Sequence, residues 1–183
     1  MDFMQTDLEG VCLITPDVYR DARGFFMETF HQSRYAAEMP YSFVQDNISF
    51  SRQGVVRGLH YQLKQPQGKL VFVLTGEIFD VAVDIRRGSP TFGQWVGYTL
   101  SDKNRQQLFI PPGFAHGFMV LSETAYVYYK CTDLYLQGDE YGIIWDDPDI
   151  AVNWPETKVI LSEKDTVLPQ LKMAENDHLP VSA

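Results

Sequence analysis

Alternation of apolar and polar residues with a period of two constrains this chain more than any other feature. It runs from about residue 41 to residue 132 and is interrupted by turn residues at short intervals. In the segment EIFDVAVDI, the side chains at positions 79, 81, 83 and 85 are apolar and point to one face, while Asp80, Ala82 and Asp84 point to the other. This pattern predicts a half-buried strand.

Seven further segments have a similar pattern, and turn residues such as QPQG, TGE, RRGSPTFG and PPG separate them. They span residues 41–50, 55–63, 69–75, 94–101, 106–110, 115–122 and 124–132. Many short strands at this spacing predict an all-β fold, a jelly roll or a related barrel. Helical periodicity is nearly absent, and we expect one short helix over His31 to Met39 and irregular turns over Trp154 to Pro169. The 183 residues suit a single domain over 1–183, with a loose tail over 172–183 because few apolar residues lie there.

Charge and composition exclude several classes of function. The chain has 15 basic and 24 acidic residues, a net charge of −9, which opposes binding to nucleic acid or to an anionic membrane. No apolar stretch approaches the ~20 residues that a membrane helix needs, and the N-terminal segment lacks the apolar core of a signal peptide. We therefore expect a cytoplasmic protein whose two cysteines, Cys12 and Cys131, are free thiols.

The chain has four histidines, and their spacing disfavours a metal site. A metal in a small β-barrel usually needs two or three imidazoles and a carboxylate, often with two imidazoles one residue apart on a strand. His60 is followed by Tyr61 and Gln62, so this spacing is missing, and His31 and His178 fall in the expected helix and tail. We expect no metal and, without phosphate-binding glycine motifs, no dinucleotide cofactor.

His60 lies in the strand segment VVRGLHYQL, close to two cations. Arg57 precedes it by three residues, and Lys69 begins the next strand after a QPQG turn. Simple alternation would place Arg57 and His60 on opposite faces, unless Gly58 marks a bulge that redirects one of them, so we expect irregular geometry there. A histidine buried in the core is the alternative interpretation.

Three more clusters are open to two interpretations each. His116 in PPGFAHGF is a core histidine or a site residue. The tyrosines of YVYYKCTDLY decorate a β-surface or include a general acid and a ring that stacks on a base. The segment RDARGFFMETF is an exposed turn with a buried FF pair, or a place where guanidinium groups meet phosphate and a ring meets a base.

Seven segments, in order, are similar to the motifs of the dTDP-4-dehydrorhamnose 3,5-epimerase family. They are RGFFMETF, FVQDNISFS, VVRGLHYQ, QGKLVFVLTGEIFDVAVDIRRGSPTFGQW, IPPGFAHGF, YYKCTDLY and GIIWDDP, covering roughly residues 19 to 165. The resemblance implies a cupin-type jelly roll, a homodimer, no metal and no redox cofactor. It also implies the substrate dTDP-4-dehydro-6-deoxy-D-glucose, inverted at C3 and C5 on the route to L-rhamnose.

The resemblance also implies roles for individual residues. His60 matches the base, Tyr129 the acid, Asp165 the carboxylate that orients the base, and Lys69 a cation that stabilises an enolate. The residues that match substrate-binding positions are Arg23, Phe26, Glu28, Gln45, Asn47, Arg57, His116, Tyr135, Glu140 and Lys164. Among these, Tyr135 and Phe26 suit the thymine and Lys164 suits a phosphate.

Four alternatives remain. The same base and acid would serve an epimerase that acts at one carbon, or a ketoisomerase of another dTDP-4-keto sugar. A sugar-nucleotide-binding cupin without catalytic activity should lack the base and the acid, and both are present here. The histidine count disfavours a metal-dependent cupin oxygenase.

Overall fold

Two facing antiparallel sheets form the body of the molecule. The computed structural model describes residues 1–155 and 158–182. Their strands are β1 (Asp2–Gln5), β2 (Cys12–Thr15), β3 (Val18–Asp21), β4 (Gly24–Met27), β5 (Gln45–Arg52), β6 (Val56–Gln62), β7 (Lys69–Thr75), β8 (Glu77–Asp84), β9 (Trp95–Ser101), β10 (Gln107–Ile110), β11 (Phe114–Val120), β12 (Thr124–Cys131) and β13 (Glu140–Gly142). The eight strands predicted from alternation are confirmed to within a few residues.

The order of the strands is that of a jelly roll. One sheet has six strands in the order β1-β2-β10-β7-β12-β5, and the other has five in the order β13-β6-β11-β8-β9. Strands β3 and β4 form a separate hairpin. Apart from β1–β2 and β8–β9, neighbouring strands of the two large sheets are not consecutive in sequence, so most pairings are long-range, as in cupin-type jelly rolls. The predicted all-β, cupin-type fold is confirmed.

The main core lies between the two sheets. Val71, Val73 and Leu108 of the six-stranded sheet face Ala82 and Phe118 of the five-stranded sheet, and all are buried. Burial of apolar side chains from both inner faces is the main source of stability in such a sandwich.

The outer face of the five-stranded sheet is also covered, which differs from the expectation for β8. Val81, Val83 and Ile85 pack outward against Leu171 and Leu179 of the C-terminal segment, while the opposite face of β8 lies between the sheets. The strand is therefore buried on both faces, and the prediction of a half-buried strand was wrong. Alternation indicated two faces correctly but could not show that a distant segment covers the second.

The C-terminal segment makes more contacts than its composition suggested. Short 3-10 helices form at Leu171–Met173 and Asn176–His178. The backbone then pairs with Arg87 on both sides of Val181, with Arg87 donating to the Pro180 carbonyl and accepting from Ser182. Only a few apolar residues anchor the segment, but they pack on the apolar outer face of the five-stranded sheet. The segment therefore lies against the sheet up to residue 182, whereas a loose tail was expected.

The predicted helix and irregular region are present in part. The helix over His31 to Met39 is reduced to Gln32–Tyr35 followed by turns, and it places Tyr35 and Met39 against the outer face of the six-stranded sheet. The region 154–169, where irregular turns were expected, also contains a 3-10 helix at Asp165–Val167. Residues 156 and 157 of this region lie outside the described residues. Within the described part, no helix is long and apolar enough to cross a membrane.

Candidate active site

A cavity of about 390 Å³ opens between the two sheets at one end of the sandwich. A second cavity of about 300 Å³ adjoins it, and both are lined by His60, Lys69, Tyr129 and Glu140. The larger is also lined by Arg57, His116, Lys164 and Asp165, and the smaller by Gln45, Asn47 and Tyr135. Eleven residues that the family resemblance selects thus surround one continuous space.

The two sheets contribute different chemical groups to this space. His60 on β6 lies directly opposite His116 on β11, both in the five-stranded sheet. Tyr129 on β12 lies opposite Asn47 on β5, in the six-stranded sheet. The imidazoles and the phenol therefore approach the cavity from facing sides, an arrangement suited to taking a proton from one face of a ligand and delivering one to the other.

A bulge at Gly58 brings Arg57 and His60 to the same cavity. The pairing with β11 shifts by one residue between His60 and Arg57, and Gly58 has φ +127, where glycine is favoured. A Cβ on Gly58 would lie 2.5 Å from the Gly117 Cα, so both positions need glycine for the close approach of the two strands. The predicted irregular geometry is confirmed, and it removes the conflict with simple alternation.

His60 is held by a buried carboxylate. Its Nε2 lies 2.6 Å from Oδ1 of Asp165, at the start of the 3-10 helix Asp165–Val167. Burial by itself would raise the pKa of Asp165, but the hydrogen bond and charge of His60 and a hydrogen bond from Ser162 outweigh it, so the pKa is lowered. The carboxylate is ionised near neutral pH and accepts from Nε2–H, which leaves Nδ1 of His60 free.

Lys69 brings a cation to the junction of the two cavities. It begins β7 opposite Cys131. Burial lowers the pKa of Lys69, and the neighbouring Cys131, Asp80 and Glu140 act in the opposite direction. A desolvated ammonium interacts more strongly with a developing negative charge than one in water does.

Tyr129 is packed against the core and stays protonated. Burial raises the pKa of Tyr129, with Cys131 adding to the rise and Arg57 opposing it. Its neighbour Tyr128 points to the other face of β12, where it contacts Lys130. The phenol of Tyr129 is therefore the one of this pair that can donate a proton into the cavity.

His116 is paired with a carboxylate that sequence reasoning placed elsewhere. Its Nε2 lies 2.8 Å from Oδ1 of Asp80, a residue with no exposed surface. Asp80 was expected on the polar face of a half-buried strand, whereas that face lies between the sheets. The available signal was an acidic residue in the middle of a strand, with apolar residues on both sides of it. The apolar wall of the larger cavity, with Phe118, Ile160 and Leu161, was also missed.

The polar rim is held by hydrogen bonds among predicted binding residues. Lys164 pairs with Glu140 at 2.8 Å, Gln45 donates to Asn47 at 3.0 Å, and the Tyr135 backbone N–H donates to the Gln45 Oε1 at 2.8 Å. The Lys164 ammonium is thus already paired with a carboxylate in this structure.

Three predicted binding residues do not line either cavity. Arg23 and Phe26 lie on the β3–β4 hairpin, where Arg23 pairs with Asp21 and Phe26 is 68% exposed. Glu28 follows the hairpin and pairs with Arg34 at 3.0 Å. Within one copy of the chain, these three residues are not brought together with the rest of the site.

Fold and site together define a jelly-roll protein equipped for general acid–base chemistry on a ligand held between two sheets. A family model described as dTDP-4-dehydrorhamnose 3,5-epimerase matches residues 5–173. The chain belongs to the dTDP-4-dehydrorhamnose 3,5-epimerase family, and it is a carbohydrate epimerase.

Relatives and solved structures agree with this assignment. A dTDP-4-dehydrorhamnose 3,5-epimerase from Methanothermobacter thermautotrophicus is 54% identical over 167 residues, 89% of this chain and 90% of the relative. A dTDP-6-deoxy-D-glucose-3,5-epimerase from Legionella pneumophila, solved in complex with dTDP-4-keto-L-rhamnose, has a TM-score of 0.97 at 50% identity and covers 100% of this chain and 98% of its own. A 3'-monoepimerase from Streptomyces bikiniensis, solved with dTDP-quinovose, has a TM-score of 0.91 at 29% identity, covering 96% and 91%.

Proposed function

We propose that the enzyme inverts C3 and C5 of dTDP-4-dehydro-6-deoxy-D-glucose by general acid–base catalysis without a cofactor, in the biosynthesis of dTDP-L-rhamnose. The observation that carries the proposal is the placement of the His60–Asp165 pair and Tyr129 on opposite sides of one cavity. The higher identity to 3,5-epimerases than to the monoepimerase favours inversion at both carbons.

His60 acts as the base at both carbons. The C4 ketone of the substrate acidifies the C–H bonds at C3 and C5, so a moderate base can remove either proton. Nδ1 of His60 takes the proton, because Nε2 is committed to Asp165 at 2.6 Å. The carboxylate then stabilises the imidazolium that forms, as the aspartate of a catalytic triad does.

Lys69 stabilises the enolate. When the proton leaves, the electron pair of the C–H bond moves to place negative charge on the C4 oxygen. The ammonium of Lys69, at the junction of the two cavities, is the cation best placed to meet that charge, and its partial desolvation strengthens the interaction. His116 lines the pocket for the sugar beside it.

Tyr129 completes each inversion. Its phenol gives a proton to the enolate carbon from the face opposite His60, so the new C–H bond has the inverted configuration. The resulting tyrosinate and imidazolium exchange protons with solvent and are ready for the second carbon. The high pKa of Tyr129, caused first by burial, keeps the proton available for this step.

The remaining predicted residues bind the nucleotide and the sugar. We assign the phosphates to Lys164 and Arg57, the sugar to Gln45, Asn47 and Glu140, and the thymine to Tyr135 together with Phe26. Their location on the rim of the two cavities supports this for all except Phe26. Binding of a phosphate would require Lys164 to exchange its contact with Glu140.

We further propose a homodimer in which the β3–β4 hairpin of one copy reaches the cavity of the other. The outer face of the six-stranded sheet exposes Ile48, Phe50, Leu74 and Tyr126, an apolar surface of the kind that association covers. The hairpin carries Arg23 and Phe26 outside their own cavity, and exchange between copies would place them, with Glu28, at a site.

Complementation tests the exchange. Arg23→Ala and His60→Ala proteins are mixed under conditions that allow subunits to exchange. A mixed dimer then holds one cavity with an intact His60 and an intact hairpin from the other copy, so activity should rise above that of either variant. Activity that stays at the sum of the two variants, in a mixture shown to contain mixed dimers, would place Arg23 in its own subunit's site.

The remaining assignments concern location and partners. We place the enzyme in the cytoplasm, with no nucleic-acid or membrane partner. Cys12 and Cys131 are free and buried, as in proteins of reducing compartments, and the net charge of −9 opposes polyanions.

Incubation with dTDP-4-dehydro-6-deoxy-D-glucose in deuterated water, followed by NMR, tests the reaction. We expect deuterium at C3 and C5 and inversion at both. Inversion at a single carbon would make the enzyme a monoepimerase, and binding without any exchange would make it a sugar-nucleotide-binding protein.

A further inference from the structure

A second histidine–carboxylate pair, His116 with Asp80, borders the same cavity. Asp80 has no exposed surface, and its Oδ1 lies 2.8 Å from Nε2 of His116. Its other oxygen, Oδ2, has no hydrogen-bond partner among the described residues. Burying a carboxylate this deeply costs free energy unless a partner compensates for it. The single hydrogen bond to His116 is therefore the contact that compensates for the burial of Asp80.

The register of the sheet fixes the pair. On β8 and β11, Asp80 lies opposite Phe118 and His116 lies opposite Ala82. Asp80 and His116 are therefore diagonal neighbours on the face between the sheets. The small side chain of Ala82 leaves space for the imidazole, and Asp80 reaches it from the rigid interior of the sheet.

The chemistry of the pair selects one tautomer. An ionised carboxylate can only accept a hydrogen bond, so Nε2 of His116 must carry the hydrogen. Burial lowers the pKa of His116; the charge and hydrogen bond of Asp80 oppose this, while Lys69 and His60 add to it. A neutral imidazole with its hydrogen on Nε2 has a lone pair on Nδ1, and no described residue hydrogen-bonds to Nδ1.

We propose that Asp80 is a positioning residue, which holds His116 as the Nε2–H tautomer so that Nδ1 accepts a hydrogen bond from a hydroxyl group of the bound sugar. The substrate part of this inference rests on the proposed function. His116 then contributes to binding in the ground state, and the developing enolate charge is left to Lys69.

Nitrogen NMR of uniformly labelled wild-type protein near pH 7.5 tests the tautomer without turnover. The His116 signals are assigned by their loss in His116→Gln. We expect hydrogen on Nε2 and an unprotonated Nδ1. A hydrogen on Nδ1, with either a neutral or a charged ring, would overturn the proposal even if the enzyme is fully active.

The variant Asp80→Asn tests the role of the carboxylate. An amide can also donate to Nε2, so the fraction of the Nδ1–H tautomer should rise, and KM should rise about 3- to 10-fold with a smaller fall in kcat, the effect of one lost hydrogen bond. The matched control is Asp84→Asn, which changes a buried carboxylate on the same strand that binds Arg86 and should leave both readouts unchanged.

The outcomes separate the inference from the proposed reaction. An unchanged tautomer together with an unchanged KM in Asp80→Asn would refute the positioning role. A fall in kcat at constant KM would instead make His116 a participant in the chemical step. If wild-type protein has the expected tautomer but does not invert the sugar, the proposed reaction fails while the assignment of the tautomer stands.

Discussion

The two histidine–carboxylate pairs of the cavity have similar contacts and different surroundings. In both, Nε2 meets an aspartate, at 2.6 Å for His60 and 2.8 Å for His116. His60 is 22% exposed at its side chain and its aspartate lies in an irregular segment, whereas His116 is 9% exposed and its aspartate lies inside the sheet. The first pair can exchange a proton with solvent, and the second is placed to hold a fixed hydrogen bond.

The pKa shifts of the two pairs also differ. Asp165 has its pKa lowered despite burial because His60 and Ser162 support its ionised form, so it can balance an imidazolium. His116 has its pKa lowered, by burial first and then by Lys69 and His60, against the effect of Asp80. In the roles proposed above, one carboxylate supports the gain of a charge on its histidine, while the other fixes a tautomer. The same pair of residue types therefore serves two roles, which the surroundings decide.

The largest difference between the pairs should appear on removal of each imidazole. His60→Ala should lose both inversion and solvent exchange, a loss of at least about 10²–10⁴-fold, because it removes the base. His116→Gln should weaken binding but retain exchange at saturating substrate. Deuterium incorporation is read by NMR, and wild-type exchange in His60→Ala would assign the base to another group.

Removal of the cation between the pairs should have the next largest effect. Lys69→Met should lower kcat more than it raises KM, by about 10²–10³-fold, because the enolate charge develops only after binding. Since burial lowers the pKa of Lys69, kcat in the wild type should fall as pH rises and the ammonium loses its proton. Lys69→Arg should move this alkaline fall to higher pH, and a fall at unchanged pH would assign it to another group.

A smaller effect is expected from removal of the charge of Asp165. Asp165→Asn can still accept from Nε2–H but cannot balance the imidazolium, so kcat should fall about 10- to 100-fold with little change in KM. Asp80→Asn should instead raise KM more than it lowers kcat. Steady-state kinetics of the two variants distinguish the roles of the two pairs. A rise in KM at constant kcat for Asp165→Asn would mean that these roles are reversed.

No effect is expected from removal of metal ions. Exhaustive chelation should leave full activity, because no HxH spacing is present in the sequence and both histidines of the cavity use Nε2 for an aspartate. Activity that fell on chelation and returned with one divalent cation would require a different assignment of both pairs.

Local pattern predicted the strands well and the partners of the strands poorly. Eight strands followed from alternation because side chains of period two must face opposite sides. Burial of both faces of β8 depends on Leu171 and Leu179, which are far along the chain, so no local pattern could indicate it. For the same reason Asp80 was placed on a polar face.

The same limit of local sequence patterns applies to the active site. His60 and Lys69 could be associated because one short turn separates their segments in the sequence, although β6 and β7 lie in different sheets. The bulge at Gly58 was expected from glycine in a strand. Asp165 lies 105 residues from His60, and only the resemblance to the family connected them. Contacts across the sandwich arise from tertiary packing, which a short motif does not encode.

In the proposed mechanism, His60 and Tyr129 act from opposite faces of the bound sugar, and the variant Tyr129→Phe is the direct test of this arrangement. In deuterated water this variant should still take protons from the substrate through His60 and return deuterium on the same face, while inversion slows about 10²–10⁴-fold. Tyr128→Phe is the matched control, since Tyr128 lies on the other face of β12 beside Lys130, and it should invert normally. NMR should therefore find deuterium in uninverted substrate for Tyr129→Phe, and inversion of both carbons at the wild-type rate in that variant would mean that Tyr129 is not the acid.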